Sequence, residues 1–275
     1  MKFEDMINTI QLGDCIDVMK NIPEESIDMI VTSPPYDEIK NYNNSLVWNF
    51  DVFKEIANEL KRILKKGGVI IWVVADSTIN GSETGTSFRQ ALYFKEIGLN
   101  LYDTMIYKKQ NFLPLTHRRY EQEFEYMFCI SKDIPKTFNP IMIECKYAGT
   151  IAGASVYKTS DDEVTKRNSY KVNDKKIKGN VFEYATGKFV TGEWKHPAMF
   201  PLDLAMDQIK SWTNEGDIVL DCFSGSGTTC LAAKRLNRNY IGIEKVKKYY
   251  DMSQLRINEI KANGQVSIFT DFDNL

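Results

Sequence analysis

The sequence predicts an α/β domain built on a doubly wound sheet with helices on both faces. Short apolar runs with the length of buried strands alternate with longer segments whose apolar residues recur at helical spacing. Several of these apolar runs end in polar loops rich in glycine or proline, where a ligand can approach the strand ends. A chain of 275 residues can bury one substantial core, so we expect one domain with a small insertion.

The first half of the chain alternates strands with helices. Its predicted strands are 9–12, 27–31, 69–74, 101–107 and 123–130. Its predicted helices are 15–20, 51–64 and 86–97. Helix 51–64 is the clearest, because Phe53, Ile56 and Leu60 share one face and the glycines of 65–68 supply a stop.

The pattern fades from 139 to 192 and then resumes. In this stretch lysines and tyrosines alternate without a core-facing period. The remaining predicted elements are a helix near 200–212, a strand 218–220, a helix 227–236, a strand 240–243, and a helix from 245 to about 260. Residues beyond 264 read as a tail.

Composition limits the classes of function. Apolar residues make up 43% and charged residues 26%, and no apolar run is long enough to span a bilayer. The amino terminus lacks the pattern of a secretory signal, so we expect a cytoplasmic protein without a membrane partner. Five cysteines without a CxxC pair and only two histidines argue against a disulfide framework and against a metal site.

A glycine-rich turn follows the strand 218–220 and opens the next helix. Its residues are Asp221-Cys222-Phe223-Ser224-Gly225-Ser226-Gly227-Thr228-Thr229. The following strand ends in Glu244, a carboxylate placed to accept hydrogen bonds from ribose hydroxyls. The turn lacks the lysine of a phosphate-binding loop and does not match the dinucleotide fingerprint. This leaves a nucleoside cofactor without phosphates, with S-adenosylmethionine as the leading candidate.

A second loop, Thr32-Ser33-Pro34-Pro35-Tyr36, follows the strand 27–31. The successive prolines hold the backbone extended, which fixes the direction of the carbonyls and of the Ser33 hydroxyl. Such acceptors can draw the hydrogens of an exocyclic amine out of the plane of its base and make the nitrogen a better nucleophile. Tyr36 offers a face for stacking a base outside its duplex. In an unstructured segment, Pro34-Pro35-Tyr36 would instead indicate a kink in a loop or a ligand for another domain.

With both loops in view, the sequence resembles the DNA amino-methyltransferases over nearly its whole length. Ser33-Pro34-Pro35-Tyr36 is similar to the family's catalytic motif, the run from Asp221 to Gly227 to its methionine-side cofactor motif, and Glu244 to its ribose-binding position. Because the catalytic motif comes first, the order resembles the circularly permuted beta class. The fold this implies is a Rossmann-like, seven-stranded methyltransferase sheet.

The resemblance also assigns site residues and domains. Gly13-Asp14-Cys15 looks like an adenine-contacting segment, and residues 195–201 look like the motif that closes over the cofactor. The implied cofactor-binding residues are Asp14, Cys15, His196, Pro197, Phe200, Asp221, Phe223, Ser224, Gly225, Ser226, Gly227, Thr228 and Glu244. The implied domains are a catalytic half at 1–138, a target-recognition insertion at 139–192, a cofactor half at 193–264 and a tail at 265–275.

The implied target is a flipped base in double-stranded DNA. Serine at position 33 is typical of cytosine-N4 enzymes, whereas adenine-N6 enzymes usually carry Asp or Asn there, so adenine-N6 remains the alternative. Carbon-5 methylation is rejected, because none of the cysteines follows a proline in a suitable loop. RNA methylation and a non-catalytic cofactor-binding module are further alternatives, and the complete catalytic loop argues against the second.

Cations suited to DNA phosphates lie beside aromatic residues in two places. The predicted DNA-binding residues are Lys108, Lys109, Arg118, Arg119, Lys171 and Lys175. Any one of them alone would more often be part of a solvated face. A paired restriction endonuclease, and a monomeric or homodimeric state, are expectations from the family.

Overall fold

The computed structural model describes residues 2–35, 48–111, 119–158, 164–185 and 201–263, with side chains up to 258. The chain forms two compact units. The main unit comprises Met1–Asn139 and Asn180–Leu275, and the small unit comprises Pro140–Gly179. Tyr36, Arg118, His196, Pro197, Phe200 and the predicted tail lie outside the described residues.

The described secondary structure begins with a 3-10 turn at Phe3–Met6. The strands are β1 (Thr9–Leu12), β2 (Ile27–Thr32), β3 (Leu64–Val74), β4 (Thr78–Ile79), β5 (Ser82–Glu83), β6 (Asn100–Lys109), β7 (Phe124–Ser131), β8 (Met142–Glu144), β9 (Ile151–Ala152), β10 (Ser155–Lys158), β11 (Val164–Arg167), β12 (Tyr170–Lys171), β13 (Lys175–Ile177), β14 (Val181–Tyr184), β15 (Ile218–Asp221) and β16 (Asn239–Glu244). The helices are α1 (Cys15–Met19), α2 (Phe50–Ile63), α3 (Thr86–Glu96), α4 (Leu202–Trp212), α5 (Thr228–Arg235) and α6 (Lys247–Asn263).

The main unit is built on an eight-stranded sheet with the order β1-β16-β15-β2-β3-β7-β6-β14. Neighbouring strands pair in parallel except at β7, which runs antiparallel to both β3 and β6. The predicted α/β sheet is confirmed. Seven strands correspond to the sheet implied by the resemblance, and β14 adds an eighth at one edge.

The chain changes direction across the sheet between β15 and β2. The strand that follows β15 along the chain, β16, lies on one side of this pair, and the strand that follows β2, β3, lies on the other. The ladder between β15 and β2 contains the pairs Val219↔Met29 and Leu220↔Ile30. In open α/β sheets ligands bind at the carboxyl ends of the strands at such a switch point.

Helix α2 shows how the pattern of the sequence becomes packing. Asn49 caps its first turn by accepting hydrogen bonds from the N–H groups of Asp51 and Val52. The apolar face of α2 buries Phe53, whose ring meets that of Trp72 on β3 edge to face at 5.7 Å. This contact belongs to the hydrophobic core between the helices and the sheet.

Helix α2 ends at Ile63, just before the predicted stop at 65–68, and residues 65–68 form the first part of β3 rather than a separate turn. Lys65 forms an ion pair with Asp28 of β2 at 2.7 Å. A Cβ at Gly68 would lie 2.8 Å from the Asp28 carbonyl oxygen, so glycine permits the close approach of the two strands. Pairing with β2 therefore extends β3 to the end of α2.

The small unit contains three two-stranded antiparallel pairs, β8–β13, β9–β12 and β10–β11. The small unit, Pro140–Gly179, spans fewer residues than the predicted insertion 139–192, because β14 pairs with β6 in the main sheet. Phe182 is the buried side chain of β14, and one such residue leaves little trace in the hydrophobic pattern.

The described part of the chain has further features that bear on function. All five cysteines are free thiols. No described helix is long and apolar enough to cross a membrane. Among the described residues no group of three or more histidine, cysteine or acidic side chains is arranged to hold a metal ion.

Candidate active site

The glycine-rich turn connects the end of β15 to α5. Gly225 and Gly227 have φ values of 50° and 80°, which other residues adopt only with strain. A Cβ at Gly227 would also lie 3.0 Å from the Cβ of Ser253 on α6. Glycine is therefore required at position 227 for two reasons, the positive φ of the backbone and the close packing of α6.

Glu244 ends β16 and holds the glycine turn through the backbone. One carboxylate oxygen accepts a hydrogen bond from the N–H of Gly225 at 2.8 Å, and the other from the N–H of Val246 at 2.7 Å. Burial raises the pKa of Glu244 above its usual value, whereas the hydrogen bonds from Val246 and Gly225 lower it. Glu244 is 9% exposed and lies at the carboxyl end of β16, the edge of a parallel sheet at which ligands usually bind.

The predicted adenine-side segment lies next to Glu244. The N–H of Gly13 donates to the Glu244 carbonyl at 3.0 Å. Asp14 caps α1 by accepting from the N–H of Ile16, and its other oxygen pairs with Lys245 at 3.0 Å. Cys15 is buried, and desolvation raises the pKa of its thiol to about 12, so the side chain is neutral at physiological pH.

Strand β2, which leads into the predicted catalytic loop, runs beside β15 and ends at Thr32. Ser33 and Pro35 are half-buried and Pro34 is buried. The Thr32 hydroxyl donates to the Oδ1 atom of Asp221 at 2.7 Å. The structure thus brings the start of the predicted catalytic loop against the first residue of the glycine turn.

Asp221 is fully enclosed, with 1% of its surface exposed. Its Oδ1 atom also accepts from the N–H of Phe223 at 3.1 Å. Burial raises the pKa of Asp221 to about 6, against the opposing effect of hydrogen bonds from Thr32, Thr229 and Phe223. The side chain is directed into the protein, where it joins two loops.

Ser226 and Thr228 are held from the side of α6. Arg256 donates from Nη1 to the Ser226 hydroxyl at 2.8 Å, the Ser226 carbonyl at 3.0 Å and the Thr228 hydroxyl at 3.1 Å. On the other side of the turn, the half-buried Phe223 meets Trp48 edge to face at 5.5 Å. The sequence did not predict that Arg256 supports this turn, because no recognisable motif in α6 includes it.

A family model described as DNA methylase, of the N6/N4 type, matches residues 27–255. The chain belongs to this DNA methylase family. The match includes both Ser33-Pro34-Pro35, directly after β2, and the glycine turn after β15, which the structure places at neighbouring strand ends.

Individual relatives cover most of this DNA methylase. It is 45% identical over 246 residues to the orphan methyltransferase M.BamHII of Bacillus amyloliquefaciens, covering 86% of this chain and 91% of that protein. It is 30% identical over 266 residues to the DNA adenine methyltransferase YhdJ of Escherichia coli K12, covering 94% of this chain and 85% of that one.

Solved structures resemble the DNA methylase in fold. The PvuII DNA methyltransferase, described as cytosine-N4-specific, aligns with a TM-score of 0.70 at 21% identity over 96% of this chain and 90% of that one. The complex of M1.HpyAVI with SAM (S-adenosylmethionine) aligns with a TM-score of 0.61 at 27% identity over 91% of this chain and 98% of that one. These likenesses confirm the predicted Rossmann-like methyltransferase fold.

The predicted DNA-contacting cations of the main unit face carboxylates. Lys108 lies 3.5 Å from Glu123 and 3.7 Å from Glu183, and Lys109 pairs with the buried Glu125 at 2.8 Å. Arg119 lies 3.8 Å from Glu83 and donates to the Gly81 carbonyl. These ion pairs lower the net positive charge that each lysine or arginine presents to a phosphate.

The predicted cations of the small unit lie on its surface. Lys171 on β12 is exposed, and its neighbour Tyr170 packs under the guanidinium of Arg167, 4.5 Å from the ring centre. Lys175 on β13 is exposed and lies 3.4 Å from Glu144. A role for these residues in DNA binding stays a prediction.

Proposed function

We propose that this DNA methylase transfers a methyl group from S-adenosylmethionine to the exocyclic amine of a base flipped out of double-stranded DNA, with cytosine-N4 as its target. The observation that carries the proposal is the contact between the two predicted loops. The hydrogen bond of 2.7 Å from Thr32 to Asp221 joins the residue before Ser33 to the first residue of the glycine turn. A base amine at the first loop would therefore lie beside a nucleoside cofactor at the second.

The residues in and around the glycine turn have the chemistry needed to bind S-adenosylmethionine. Glu244 offers a carboxylate whose remaining lone pairs can accept from ribose hydroxyls. Gly225 and Gly227 keep side chains out of the turn, so that the backbone can approach a ligand. Asp14 and Cys15 lie at the next strand end, where the adenine side is proposed. When bound, the cofactor supplies a methyl group already activated on a sulfonium.

The catalytic loop acts on the amine. We assign the Ser33 hydroxyl and the Pro34 carbonyl to accept its two hydrogens, which frees the nitrogen lone pair from the ring. Pro34 and Pro35 hold these acceptors in place, since neither proline can rotate about φ. Tyr36 is proposed to stack on the flipped base. Attack by the nitrogen on the methyl carbon of the bound cofactor would form the N–C bond as the S–C bond breaks, with S-adenosylhomocysteine as the leaving group. No covalent enzyme intermediate would be needed, and the amine proton would leave to water.

The choice of base rests on Ser33. Serine at this position is typical of the cytosine-N4 enzymes that the loop resembles, and the PvuII enzyme, with the same fold, is described as cytosine-N4-specific. The relationship to YhdJ, described as a DNA adenine methyltransferase, favours the second candidate, adenine-N6. A paired restriction endonuclease and the state of assembly stay predictions.

A single labelling experiment tests the reaction and the base. The purified protein is incubated with unmethylated bacterial DNA and methyl-labelled S-adenosylmethionine, and the DNA is digested to nucleosides. We expect label in N4-methylcytosine. Label in N6-methyladenine would replace the target base and keep the rest of the proposal. DNA without label, or stronger labelling of competing RNA, would contradict it.

A further inference from the structure

The strands β2 and β15 are joined by a side chain beyond the end of their backbone ladder. The last registered pair between them is Leu220↔Ile30. Thr32 lies two residues further along β2, and its hydroxyl reaches Asp221, the residue that ends β15, at 2.7 Å. This hydrogen bond spans the crevice at the switch point, where the backbones no longer pair.

The hydroxyl of Thr32 is deeply buried and tightly surrounded. Thr32 is 0% exposed and Asp221 is 1% exposed. The Cys222 Sγ atom lies 3.9 Å from the Thr32 Oγ1 atom. Because water is excluded, the hydrogen bond to the carboxylate is stronger than an exposed one would be, and its geometry is fixed.

A second hydrogen bond crosses the same crevice. The Thr229 hydroxyl, on α5, donates to the carbonyl of Val31 at 3.2 Å. Thus the two residues directly before Ser33 are each held by a group from the cofactor side. Asp221 meanwhile holds the glycine turn itself, since the same Oδ1 atom accepts from the N–H of Phe223 at 3.1 Å.

We infer that Thr32 is a positioning residue, whose hydroxyl fixes the Ser33-Pro34 loop relative to the glycine turn and so aligns the amine with the methyl donor. The inference rests on the proposed amino-methyl transfer. A displacement of about 1 Å between reacting groups can slow a reaction by about 100-fold. Thr32 does not lie in the turn, so its loss should slow turnover and leave cofactor affinity nearly unchanged.

The test compares three variants of the full-length protein. Thr32→Val keeps the shape of the side chain and removes the donor, and Thr32→Ser keeps the donor. Thr213→Val is the matched control. Thr213 is also 0% exposed, but it lies before the amino end of β15, where its hydroxyl accepts from Arg238 Nε at 3.0 Å. The measurements are kcat on DNA, the Kd for S-adenosylmethionine by calorimetry, and the melting temperature.

We expect Thr32→Val to lower kcat by roughly 10- to 100-fold while the Kd for S-adenosylmethionine changes by less than about threefold. Thr32→Ser should stay within about threefold of the wild-type kcat. Thr213→Val should lower the melting temperature and leave kcat close to wild type. If Thr32→Val does not fold, Thr32→Cys takes its place, because a thiol keeps the size of the side chain but donates only weakly.

Three results would overturn the inference. They are a wild-type kcat in Thr32→Val, equal losses in Thr32→Val and Thr32→Ser, and a rise in the Kd that matches the fall in kcat. A wild-type protein that binds S-adenosylmethionine but does not methylate DNA would reject the proposed function instead. The wild-type assay therefore separates the two failures.

Discussion

Glu244 accepts a hydrogen bond of 2.8 Å from the backbone N–H of Gly225, which joins the end of β16 to the loop that follows β15. The other oxygen of the same carboxylate accepts from the N–H of Val246 at 2.7 Å. One side chain therefore sets the distance between the glycine turn and the end of the neighbouring strand. We propose that this preorganises the cofactor site, because backbone donors need no side-chain ordering when a ligand binds.

Glu244→Gln should weaken the binding of S-adenosylmethionine by at least about tenfold. An amide has one acceptor oxygen, so its NH₂ group would face either Gly225 N–H or Val246 N–H, and a charge-assisted hydrogen bond is worth about 1.5–3 kcal/mol. Calorimetric titration gives the Kd. Glu215→Gln, at an exposed site before β15, is the matched control and should bind as wild type. Wild-type affinity in Glu244→Gln would remove this residue from the cofactor site.

Ser33→Ala and Tyr36→Ala should each lower kcat by about 100-fold or more while leaving the Kd for S-adenosylmethionine nearly unchanged. In the proposed mechanism the first variant lacks an acceptor for the amine and the second lacks the stacking face, so both would act on the base. Single-turnover kinetics on DNA and cofactor titration measure the two effects. Ser26→Ala, before the start of β2, provides the control for loss of a hydroxyl. Full activity in Tyr36→Ala would refute its assignment.

Asp221 makes the stability of the fold depend on pH. Burial raises its pKa from 3.8 to about 6, so between these values the folded state binds a proton that the unfolded state does not, and stability falls as the pH rises. Asp221→Asn lacks this titration. The difference in unfolding free energy, variant minus wild type, should therefore increase by about 2–3 kcal/mol as the pH rises from 4 to 7. Denaturant titrations at several pH values measure this difference.

Other groups near Asp221 are the same in both proteins. Glu244, Cys222 and Cys230 interact electrostatically with Asp221, and they remain in the variant. Their own titration largely cancels in the comparison. A difference that stays constant from pH 4 to pH 7 would show that Asp221 does not titrate in this range.

Gly242→Ala should destabilise the protein by about 1–3 kcal/mol through overpacking. A Cβ at this position of β16 would lie 2.8 Å from both Cys230 Sγ and Ile10 Cγ1, and 2.9 Å from Ser224 Oγ. Thermal unfolding measures the loss. Gly153→Ala in the small unit is the control, since nothing lies within 4 Å of its added Cβ. Equal melting temperatures for the two variants would contradict the tight packing under the glycine turn.

Lys171→Ala should weaken DNA binding and reduce the slope of log K against log salt concentration by roughly one, if this exposed lysine contacts a phosphate. Fluorescence anisotropy at several salt concentrations measures both quantities. Lys20→Ala is the control, because Lys20 is also exposed but pairs with Asp17 on α1. An unchanged slope in Lys171→Ala would remove it from the predicted contacts.

The sequence was most informative where structure is local. The strand β1 and the start of α3 match their predicted bounds, because alternation and helical spacing are properties of neighbouring residues. The glycine turn and the Ser33-Pro34-Pro35 loop were also readable, since glycine and proline restrict or free the backbone wherever they stand. These two loops carried the family resemblance.

Other features depended on pairings that no local pattern encodes. The edge strand β14 forms because β6 offers a free edge, and its own sequence has one buried residue. Lys108 and Lys109 looked like free cations, yet acidic side chains on β7 and β14, or just before β7, lie against them.

The amino-acid sequence by itself determined the order of the motifs and the chemistry that each can perform. Only the tertiary structure decided that Thr32 bonds to Asp221, 189 residues away. The physical reason is that the sheet places β2 beside β15, so two side chains remote in the chain become neighbours at one strand end. The residue types determine which chemistry each loop can perform, whereas the alignment of the two loops depends on which strands pair.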